Sequence, residues 1–320
     1  MNLESFSAKR AAIIYNPVAR KLSRSQHLLQ RTIDALKRQG IEASLVATTR
    51  PGSASVQAKR QIEAGCDLIL AAGGDGTINE VANGMVHSGI PLAMIPGGTA
   101  NVLARETRVP IDMLSAVRCL STMVPVRVAI GMLRMGSFEQ RSFLCMAGAG
   151  LDAEIVCRLN LDLKAALGKL AYYIGGFSQV LRPLHEFEVT VDGKPYEASF
   201  ALISRVRNYG GDLEIARGAS LLRNEFQVVL FRGKHSLRYL PYLAAVGLRL
   251  ADRMSGCTFV YGRSVTCQSH NGDGIFTQID GELAGKLPIS AEIVPDALTL
   301  LLPATFVAKE RAAIDIRACA

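Results

Sequence analysis

The first 130 residues alternate between short apolar runs and longer segments with helical periodicity, and this alternation constrains the fold more than any other feature. Asp67–Ala72 is apolar throughout after its first residue, which is typical of a strand buried on both faces of a parallel sheet. Strands are likewise expected over Ala11–Tyr15, Ile41–Ala47 and Pro91–Ile95, and helices over Leu22–Gln39, Ala54–Ala64, Thr77–Val86 and Ala100–Arg105. Strands and helices in regular alternation predict a doubly wound, Rossmann-like α/β fold.

After about residue 125 the apolar runs become short and are separated by turn residues. Asp192-Gly193 and Asp280-Gly281 are dipeptides that close β-hairpins. Strands are predicted over Val126–Leu133, Phe143–Met146, Glu186–Val191, Tyr196–Ser204, Phe226–Phe231, Phe259–Cys267, Thr277–Ile279 and Ile289–Ile293, with helices over Ala153–Val180 and Leu237–Met254. This pattern indicates a β-sandwich-like domain.

The change from alternating strands and helices to short strands separated by turns predicts two domains. Residues 1–130 form an N-terminal α/β domain, and residues 295–320 complete it, because the last apolar run, Leu298–Leu302, is expected to return to the first sheet. Residues 131–294 form a C-terminal β-rich domain.

The composition excludes several protein classes. With 49% apolar and 20% charged residues, the chain is not intrinsically disordered. The seven cysteines contain no C-x-x-C pair, which excludes a zinc ribbon and argues against a secreted disulfide framework. The N-terminus has no apolar run followed by a cleavage site, so we expect no signal peptide and a cytoplasmic protein.

The net charge of +8 is concentrated at the N-terminus, where residues 1–60 hold 11 basic and 3 acidic side chains. Such a patch attracts nucleotide phosphates, nucleic acid or an anionic membrane, and a solvated helix face explains it as well. No basic–aromatic binding motif is present, and aromatic residues make up only 6% of the chain. We therefore expect no nucleic-acid partner.

Two glycine-rich segments follow buried strands. Gly73–Glu80 (GGDGTINE) comes after Asp67–Ala72, and Pro96–Asn101 (PGGTAN) comes after Pro91–Ile95. Glycines let the backbone approach a phosphate, and the helix that follows offers free N–H groups and a positive dipole end. The alternative for the first segment is a simple strand–helix turn with Thr77 as the N-cap. Two such loops at neighbouring strand ends predict a nucleotide-binding crevice.

A third segment, Gln278–Glu282, carries two carboxylates in one turn. Spacing alone leaves two interpretations open, namely an ordinary hairpin turn or a general base beside a metal partner. Gly148–Ala153 matches a dinucleotide fingerprint, but no acidic residue for a ribose follows it, so a nicotinamide-dependent oxidoreductase is not favoured. P-loop, H-E-x-x-H and G-x-S-x-G signatures are absent from the sequence.

Taken together, these motifs resemble the diacylglycerol kinase catalytic family, which includes bacterial lipid kinases and the sphingosine and ceramide kinases. The matching segments are Asn16-Pro17, GGDGTINE at 73–80, PGGTAN at 96–101, residues 147–153, residues 164–168 and IDGE at 279–282. The resemblance runs from about residue 10 to 305, and the PGGTANVLAR stretch separates the chain from NAD kinases.

The resemblance implies a lipid kinase with ATP in the N-terminal crevice and the lipid acceptor in an interdomain cleft. Asp280 would accept the proton of the lipid hydroxyl, and Asp75 and Glu282 would organise the catalytic Mg²⁺. The residues expected to contact the nucleotide are Asn16, Thr48, Gly74, Asp75, Gly76, Thr77, Ile78, Asn79, Glu80 and Thr99.

Bacterial members of the family also carry a structural Mg²⁺ in a loop of pattern L-x-x-D-G-L. The matching stretch here is Leu221–Phe226, in which Asn224 replaces the aspartate and Glu225 the glycine. Leu221 and Phe226 would ligate through their carbonyls and Asn224 through its side chain, so this substitution weakens the expected site.

A lipid acceptor implies transient contact with the inner face of a membrane, and a homodimer is compatible with the family. The basic N-terminal face and Leu237–Met254 are the candidate docking segments, although a helix packed on the β domain is the preferred interpretation of the latter. Two other functions remain open, namely a kinase of soluble substrates like NAD kinase and a catalytically silent regulator that binds nucleotide or lipid.

Overall fold

The computed structural model describes residues 6–19, 27–136, 139–151, 153, 184–210, 213–235, 239–248, 250–272 and 274–318. The helix predicted over Ala153–Val180 lies outside these residues except for Ala153, and so does the matching segment 164–168. Contacts divide the chain into two compact units, Met1–Ile130 with Pro295–Ala320, and Gly131–Val294. Among the described helices, none is long and apolar enough to cross a membrane.

The first unit alternates strands and helices in the predicted order. Its elements are β1 (Arg10–Tyr15), α1 (His27–Lys37), β2 (Glu42–Ala47), α2 (Ser53–Glu63), β3 (Leu68–Gly73), α3 (Asp75–Met85), β4 (Pro91–Pro96), α4 (Val102–Glu106) and α5 (Met113–Arg118), which a 3₁₀ turn (Cys119–Thr122) extends. The strands form a parallel sheet in the order β2-β1-β3-β4. Every residue of β3 is buried, as its continuous apolar sequence predicts for an inner strand.

The second unit contains most of the remaining strands. They are β5 (Met123–Met135), β6 (Glu139–Phe143), β7 (Met146–Gly150), β8 (Phe187–Val191), β9 (Lys194–Ala198), β10 (Phe200–Ser204), β11 (Asn208–Tyr209), β12 (Leu213–Glu214) and β13 (Phe226–Phe231). After them come α6 (Tyr239–Gly247), a 3₁₀ turn (Ala251–Arg253), β14 (Cys257–Gly262), β15 (Ser264–Ser269), β16 (Phe276–Ile279), β17 (Glu282–Lys286) and β18 (Ile289–Pro303). The last helix, α7 (Ala304–Ala318), belongs to the first unit. β5 and β18 each run through a boundary between the units.

Two antiparallel sheets build the second unit. One has the order β14-β13-β10-β7-β16-β17, and in the other the first part of β18 pairs with β15, followed by β8 and β9. A common core joins them, which includes Phe143, Phe187, Phe226, Val228 and Val265. The sandwich-like fold is therefore confirmed.

The last strand completes the first sheet, as its apolar sequence predicts. In β18, Thr299 lies opposite Pro91 and Leu300 opposite Leu92, in parallel with β4. The segments Ile289–Ile293 and Leu298–Leu302 are parts of this one continuous strand. Separate strands were the prediction, because Pro295 and Asp296 between them are poor strand formers.

Three other sequence predictions need correction. Tyr196–Ser204 is two strands, which meet at Ser199, and Phe259–Cys267 splits at Arg263 into β14 and β15 of different sheets. The first break contains no glycine or proline, so the apolar pattern conceals it, whereas Gly262 stands directly before the second break. Phe143–Met146 is not a strand, because it spans the bend between β6 and β7. The glycines of the dinucleotide-like segment consequently lie within strand β7 rather than in a phosphate loop.

Candidate functional site

Loops leave the four parallel strands of the first unit at one edge of the sheet, as the sequence predicts. The backbone extends the ladder past the strands: the Asn16 N–H donates to the Ala72 carbonyl at 3.1 Å and the Thr48 N–H to the Tyr15 carbonyl at 2.9 Å. The structure therefore brings Asn16 and Thr48 to this edge, together with both glycine loops. The side-chain oxygen of Asn16 accepts the N–H of Val18 at 3.0 Å, which closes a tight turn.

The two glycine loops touch each other backbone to backbone. The Gly97 N–H donates to the Gly73 carbonyl at 2.7 Å. A Cβ atom on Gly98 would lie 2.5 Å from the Cα of Gly74, so only glycine allows this approach. Asn101 stabilises the second loop, because its side chain accepts the N–H of Gly98 and donates to its carbonyl, each at 3.0 Å. Asn101 belongs to the PGGTAN motif, and the sequence alone does not predict this role for it.

Helix α3 begins directly at the first loop. It starts at Asp75, two residues earlier than predicted, and the Ile78 N–H donates to the Gly74 carbonyl at 3.1 Å. Thr77 is therefore inside the helix rather than its N-cap, and Gly74 takes the N-cap position. The first N–H groups of such a helix lack intrahelical partners, so they are suited to bind phosphate oxygens.

The Asp75 side chain contacts the start of α4. Its Oδ1 accepts the N–H of Leu103 at 3.3 Å. Burial raises the pKa of the Asp75 carboxyl above its ordinary value, and the N–H groups at the start of α4 oppose that shift. The half-buried carboxylate is thus held beside the two glycine loops, where a cation would compensate its charge.

The rest of the GGDGTINE segment packs within the unit. Ile78 is 1% exposed and Asn79 is 7% exposed. The Glu80 Oε2 accepts the N–H of Ala54 at 3.4 Å, at the start of α2. Side chains of Ile78 and Asn79 are thus core groups, whereas Gly76 and Thr77 are half-buried and Thr99 is exposed.

In the second unit, Asp280 occupies the predicted hairpin turn between β16 and β17. Its carboxylate accepts three consecutive backbone N–H groups, from Leu144 at 3.3 Å, Cys145 at 3.1 Å and Met146 at 2.8 Å. The Asp280 N–H donates in return to the Met146 carbonyl at 2.9 Å. This amide cluster explains why residues 143–146 do not continue as a strand: the bend turns their N–H groups toward the carboxylate.

The hairpin at Asp192 has the same arrangement. The Asp192 carboxylate accepts the N–H of Arg263 at 3.0 Å and of Ser264 at 2.8 Å, and its own N–H donates to the Ser264 carbonyl at 2.9 Å. Asp192 and Asp280 both adopt positive φ angles, of 46° and 48°. Holding an aspartate with backbone amides is therefore a structural device of this domain, and it does not by itself identify a catalytic residue.

What distinguishes the Asp280 turn is its surroundings. Glu282 forms an ion pair with Arg141 at 3.3 Å, and both side chains are partly exposed. The buried Gln278 accepts the N–H of Gly281 at 2.8 Å through its Oε1. Arg141 was missed by sequence reasoning, because no local pattern links it to Glu282, 141 residues away. Gln278 lay in the predicted segment, but no role was assigned to it. Within the described part of the chain, no group of three or more His, Cys, Asp or Glu side chains could hold a metal.

The loop predicted to hold a structural Mg²⁺ contains an arginine side chain instead. The guanidinium of the buried Arg205 donates from Nη2 to the Leu221 carbonyl at 2.8 Å, and from Nη1 to the carbonyls of Arg223 and Glu225. Burial lowers the pKa of Arg205 to about 10, against the effect of Glu225, so the group is charged at neutral pH. The Asn224 side chain is exposed.

These contacts do not fit a metal ion. The Leu221 carbonyl already accepts a hydrogen bond from a cation, and Phe226, which begins strand β13, is buried. A divalent ion ligated by Leu221 would place a second positive charge beside the guanidinium.

Two protein-family models match the chain. Residues 10–133 match the model described as "Diacylglycerol kinase catalytic domain", and residues 145–302 match "YegS C-terminal NAD kinase beta sandwich-like domain". The two models together cover most of the chain and follow the two parts of the fold.

Individual relatives agree with these matches. The chain is 33% identical over 287 residues to the diacylglycerol kinase of Bacillus subtilis (strain 168), which covers 88% of this chain and 92% of that protein. It is 27% identical to the diacylglycerol kinase of Staphylococcus carnosus (strain TM300), over 88% and 90% of the two chains. A solved structure of a diacylglycerol kinase from Bacillus anthracis str. Sterne has the same fold, with a TM-score of 0.74, 21% identity and coverage of 94% and 99%.

Proposed function

Because the chain belongs to the diacylglycerol kinase family, we propose that it is an ATP-dependent lipid kinase that transfers the γ-phosphate of ATP to the hydroxyl of diacylglycerol or a related lipid. The observation that carries the proposal is the backbone contact between the two glycine loops at the carboxyl edge of the parallel sheet. This is the place where open α/β sheets bind ligands, and the contact creates a surface of main-chain groups without side chains.

The nucleotide phosphates would bind these loops and the first turn of α3. Gly74, Gly76 and Thr77 lie at this turn and are half-buried, so part of each residue remains accessible to a ligand. Phosphoryl transfer involves mainly positioning and charge neutralisation, which N–H groups of a helix N-terminus supply. Asn16, Thr48 and Thr99 lie on the loops of the same unit and would contact the rest of the nucleotide.

Asp280 would act as the proton acceptor. The lipid hydroxyl oxygen attacks the γ-phosphorus, the bond from that phosphorus to the oxygen bridging it to the β-phosphate breaks, and the hydroxyl proton passes to the Asp280 carboxylate. The three backbone N–H groups of Leu144 to Met146 orient this carboxylate before the substrate arrives.

Mg²⁺ would neutralise the charge of the transferred phosphate. Asp75 is the side chain that fits it, because its half-buried carboxylate lies beside the glycine loops and has only neutral N–H groups as its described partners. Glu282, which pairs with Arg141 in the second unit, is the other carboxylate that we propose to assist Mg²⁺. One or two carboxylates with phosphates and waters form a common Mg²⁺ site, so a three-carboxylate cage is not needed.

Transfer of labelled γ-phosphate from ATP to a panel of lipids in mixed micelles tests the proposal. The panel contains diacylglycerol, a sphingoid base, ceramide and phosphatidylglycerol, with NAD as a soluble acceptor. We expect label in one lipid and none in NAD. Label in NAD alone would establish a soluble-substrate kinase, and ATP binding without any transfer would establish a silent regulator.

We further propose that the residues after α6 contact the membrane. Tyr242 packs this helix against the domain, with its hydroxyl donating to the Arg232 carbonyl at 2.8 Å. Leu248 and Leu250 just beyond the helix are 71% and 44% exposed, which provides apolar side chains for a lipid surface. Leu237, Arg238 and Arg249 of the predicted docking segment lie outside the described residues.

Flotation with phosphatidylglycerol-containing vesicles tests this contact. The double variant Leu248→Ser/Leu250→Ser is expected to lose vesicle binding while it keeps turnover of a micelle-dissolved acceptor. Val56→Ser is the control, because Val56 is a 50% exposed apolar residue on α2. Vesicle binding by the double variant equal to that of the control contradicts the proposal.

A further inference from the structure

The arginine clamp of the second unit, defined as the Arg205 guanidinium with its three carbonyl acceptors at Leu221, Arg223 and Glu225, is the feature that the proposed kinase chemistry does not use. Arg205 is 1% exposed, although it carries a full positive charge. Burying such a charge is costly unless hydrogen-bond acceptors surround it. The loop is therefore shaped around a cation, and the chain itself supplies that cation.

We propose that Arg205 replaces the structural divalent ion of this loop, so that the domain folds and keeps its active-site turn without a second metal. Carbonyl oxygens that converge from one loop can ligate Mg²⁺ or Ca²⁺, and here they accept guanidinium N–H groups. A guanidinium carries one charge where a divalent ion carries two, so the loop needs less negative charge beside it. The neutral, exposed Asn224 at the position of the expected aspartate agrees with this exchange.

The strand register explains why position 205 can take this role. β10 pairs with β13, and Ser204 lies opposite Gln227, so the next residue reaches the loop that leads into β13. The planar guanidinium then spreads its donors over acceptors from Leu221 to Glu225, which a single ammonium group could not span.

The clamp is also connected to the Asp280 turn. The Arg205 N–H donates to the Cys145 carbonyl at 2.8 Å, and the Cys145 N–H donates to the Asp280 carboxylate at 3.1 Å. If the proposed function is correct, the Mg²⁺ requirement of turnover then reflects the nucleotide-bound ion alone. Only this consequence depends on the proposed function; the replacement itself is tested by stability.

The first test uses the unaltered full-length protein without nucleotide. The metal content of the protein as purified is measured by mass spectrometry. The protein is then stripped with EDTA and desalted, and its thermal unfolding is followed with and without added Mg²⁺ or Ca²⁺. We expect no bound divalent ion and an unchanged Tm, because no ion binds selectively to the folded state. A stoichiometric divalent ion whose removal lowers the Tm overturns the proposal, whatever the enzyme assay shows.

The second test compares two conservative Arg-to-Lys variants, one at the clamp residue Arg205 and one at Arg223 in the loop that Arg205 contacts. Arg205→Lys keeps the charge and removes the fork of donors, so we expect the Tm to fall by about 5 °C. Arg223→Lys is the matched control, because that side chain is partly exposed and pairs with Glu225 at 2.7 Å, and its Tm should stay near that of the wild type. Equal melting of the two variants, or a smaller loss for Arg205→Lys, contradicts the clamp.

Discussion

Replacing Asp280 with asparagine separates the structural role of this residue from its proposed chemical role. The carboxylate accepts three N–H groups at 2.8, 3.1 and 3.3 Å. In Asp280→Asn the remaining oxygen can still accept the N–H groups of Cys145 and Met146, whereas the amide nitrogen faces the N–H of Leu144. One hydrogen bond to a charged group is worth about 1.5–3 kcal/mol, so we expect a loss of about 2 kcal/mol in unfolding free energy and about 4–8 °C in Tm.

The effect on catalysis should be far larger than this loss of stability can produce. Removing a general base lowers the rate by ~10²–10⁴. If the free energy of unfolding of the wild type is only ~5 kcal/mol, that of the variant is still ~3 kcal/mol, and more than about 99% of the variant is folded at 25 °C. A loss of two or more orders of magnitude in kcat therefore reports chemistry rather than unfolding.

Asp192→Asn is the internal control, because that residue holds a hairpin by the same contacts. Asp192 is exposed, so we expect a smaller fall in Tm and an unchanged kcat. Both variants are assayed for micellar lipid phosphorylation, ATP binding and thermal unfolding. If Asp280→Asn retains a kcat within about tenfold of the wild type while its Tm falls, Asp280 is a hairpin residue and the reasoning fails.

Three further predictions concern the first unit. A Cβ on Gly84 would lie 2.2 Å from the Ser55 carbonyl oxygen, so Gly84→Ala should lower the free energy of unfolding by about 1–3 kcal/mol in a denaturant titration. Gly247→Ala is the control and should leave it unchanged, because a Cβ there would meet no atom within 4 Å. Equal stabilities of the two variants would contradict this packing. Burial raises the pKa of Asp75, so its carboxylate destabilises the folded state above that pKa; Asp75→Asn should raise the Tm at pH 7, and the gain should disappear as the pH falls below the ordinary value of 3.8. A gain in Tm that grows toward low pH would contradict a raised pKa of Asp75. EDTA should stop phosphate transfer to lipid and restored Mg²⁺ should recover it, whereas transfer that persists in EDTA would exclude Mg²⁺ assistance at Asp75.

The elements of the first unit were predictable because their determinants are local. The strand Leu68–Gly73 begins with five apolar residues, and the glycines at positions 73 and 74 mark its end. The hairpins at Asp192-Gly193 and Asp280-Gly281 were predictable for the same reason, since positive φ angles require few residue types. Each of these signals lies within a window of about ten residues.

The splitting of Tyr196–Ser204 was not predictable, because hydrophobic periodicity does not show where a chain passes from one sheet to another. Ser199 lies between β9 and β10, buried, with its N–H donating to the Phe231 carbonyl at 2.9 Å. That bond spans 32 residues, so only the pairing of distant strands decides it.

The sequence by itself determined the two-part architecture, the glycine loops at the strand ends and the acidic turn, since each depends on neighbouring residues. The tertiary structure decided what these residues contact: that the amides of Leu144 to Met146 hold Asp280, that Glu282 pairs with Arg141, and that Arg205 closes the loop at Leu221. The first two contacts join residues more than 130 positions apart, and the third depends on how β10 pairs with β13. Hydrogen bonds and charges act over a few ångströms of space, whatever the separation along the chain, and so only the folded chain determines which groups they connect.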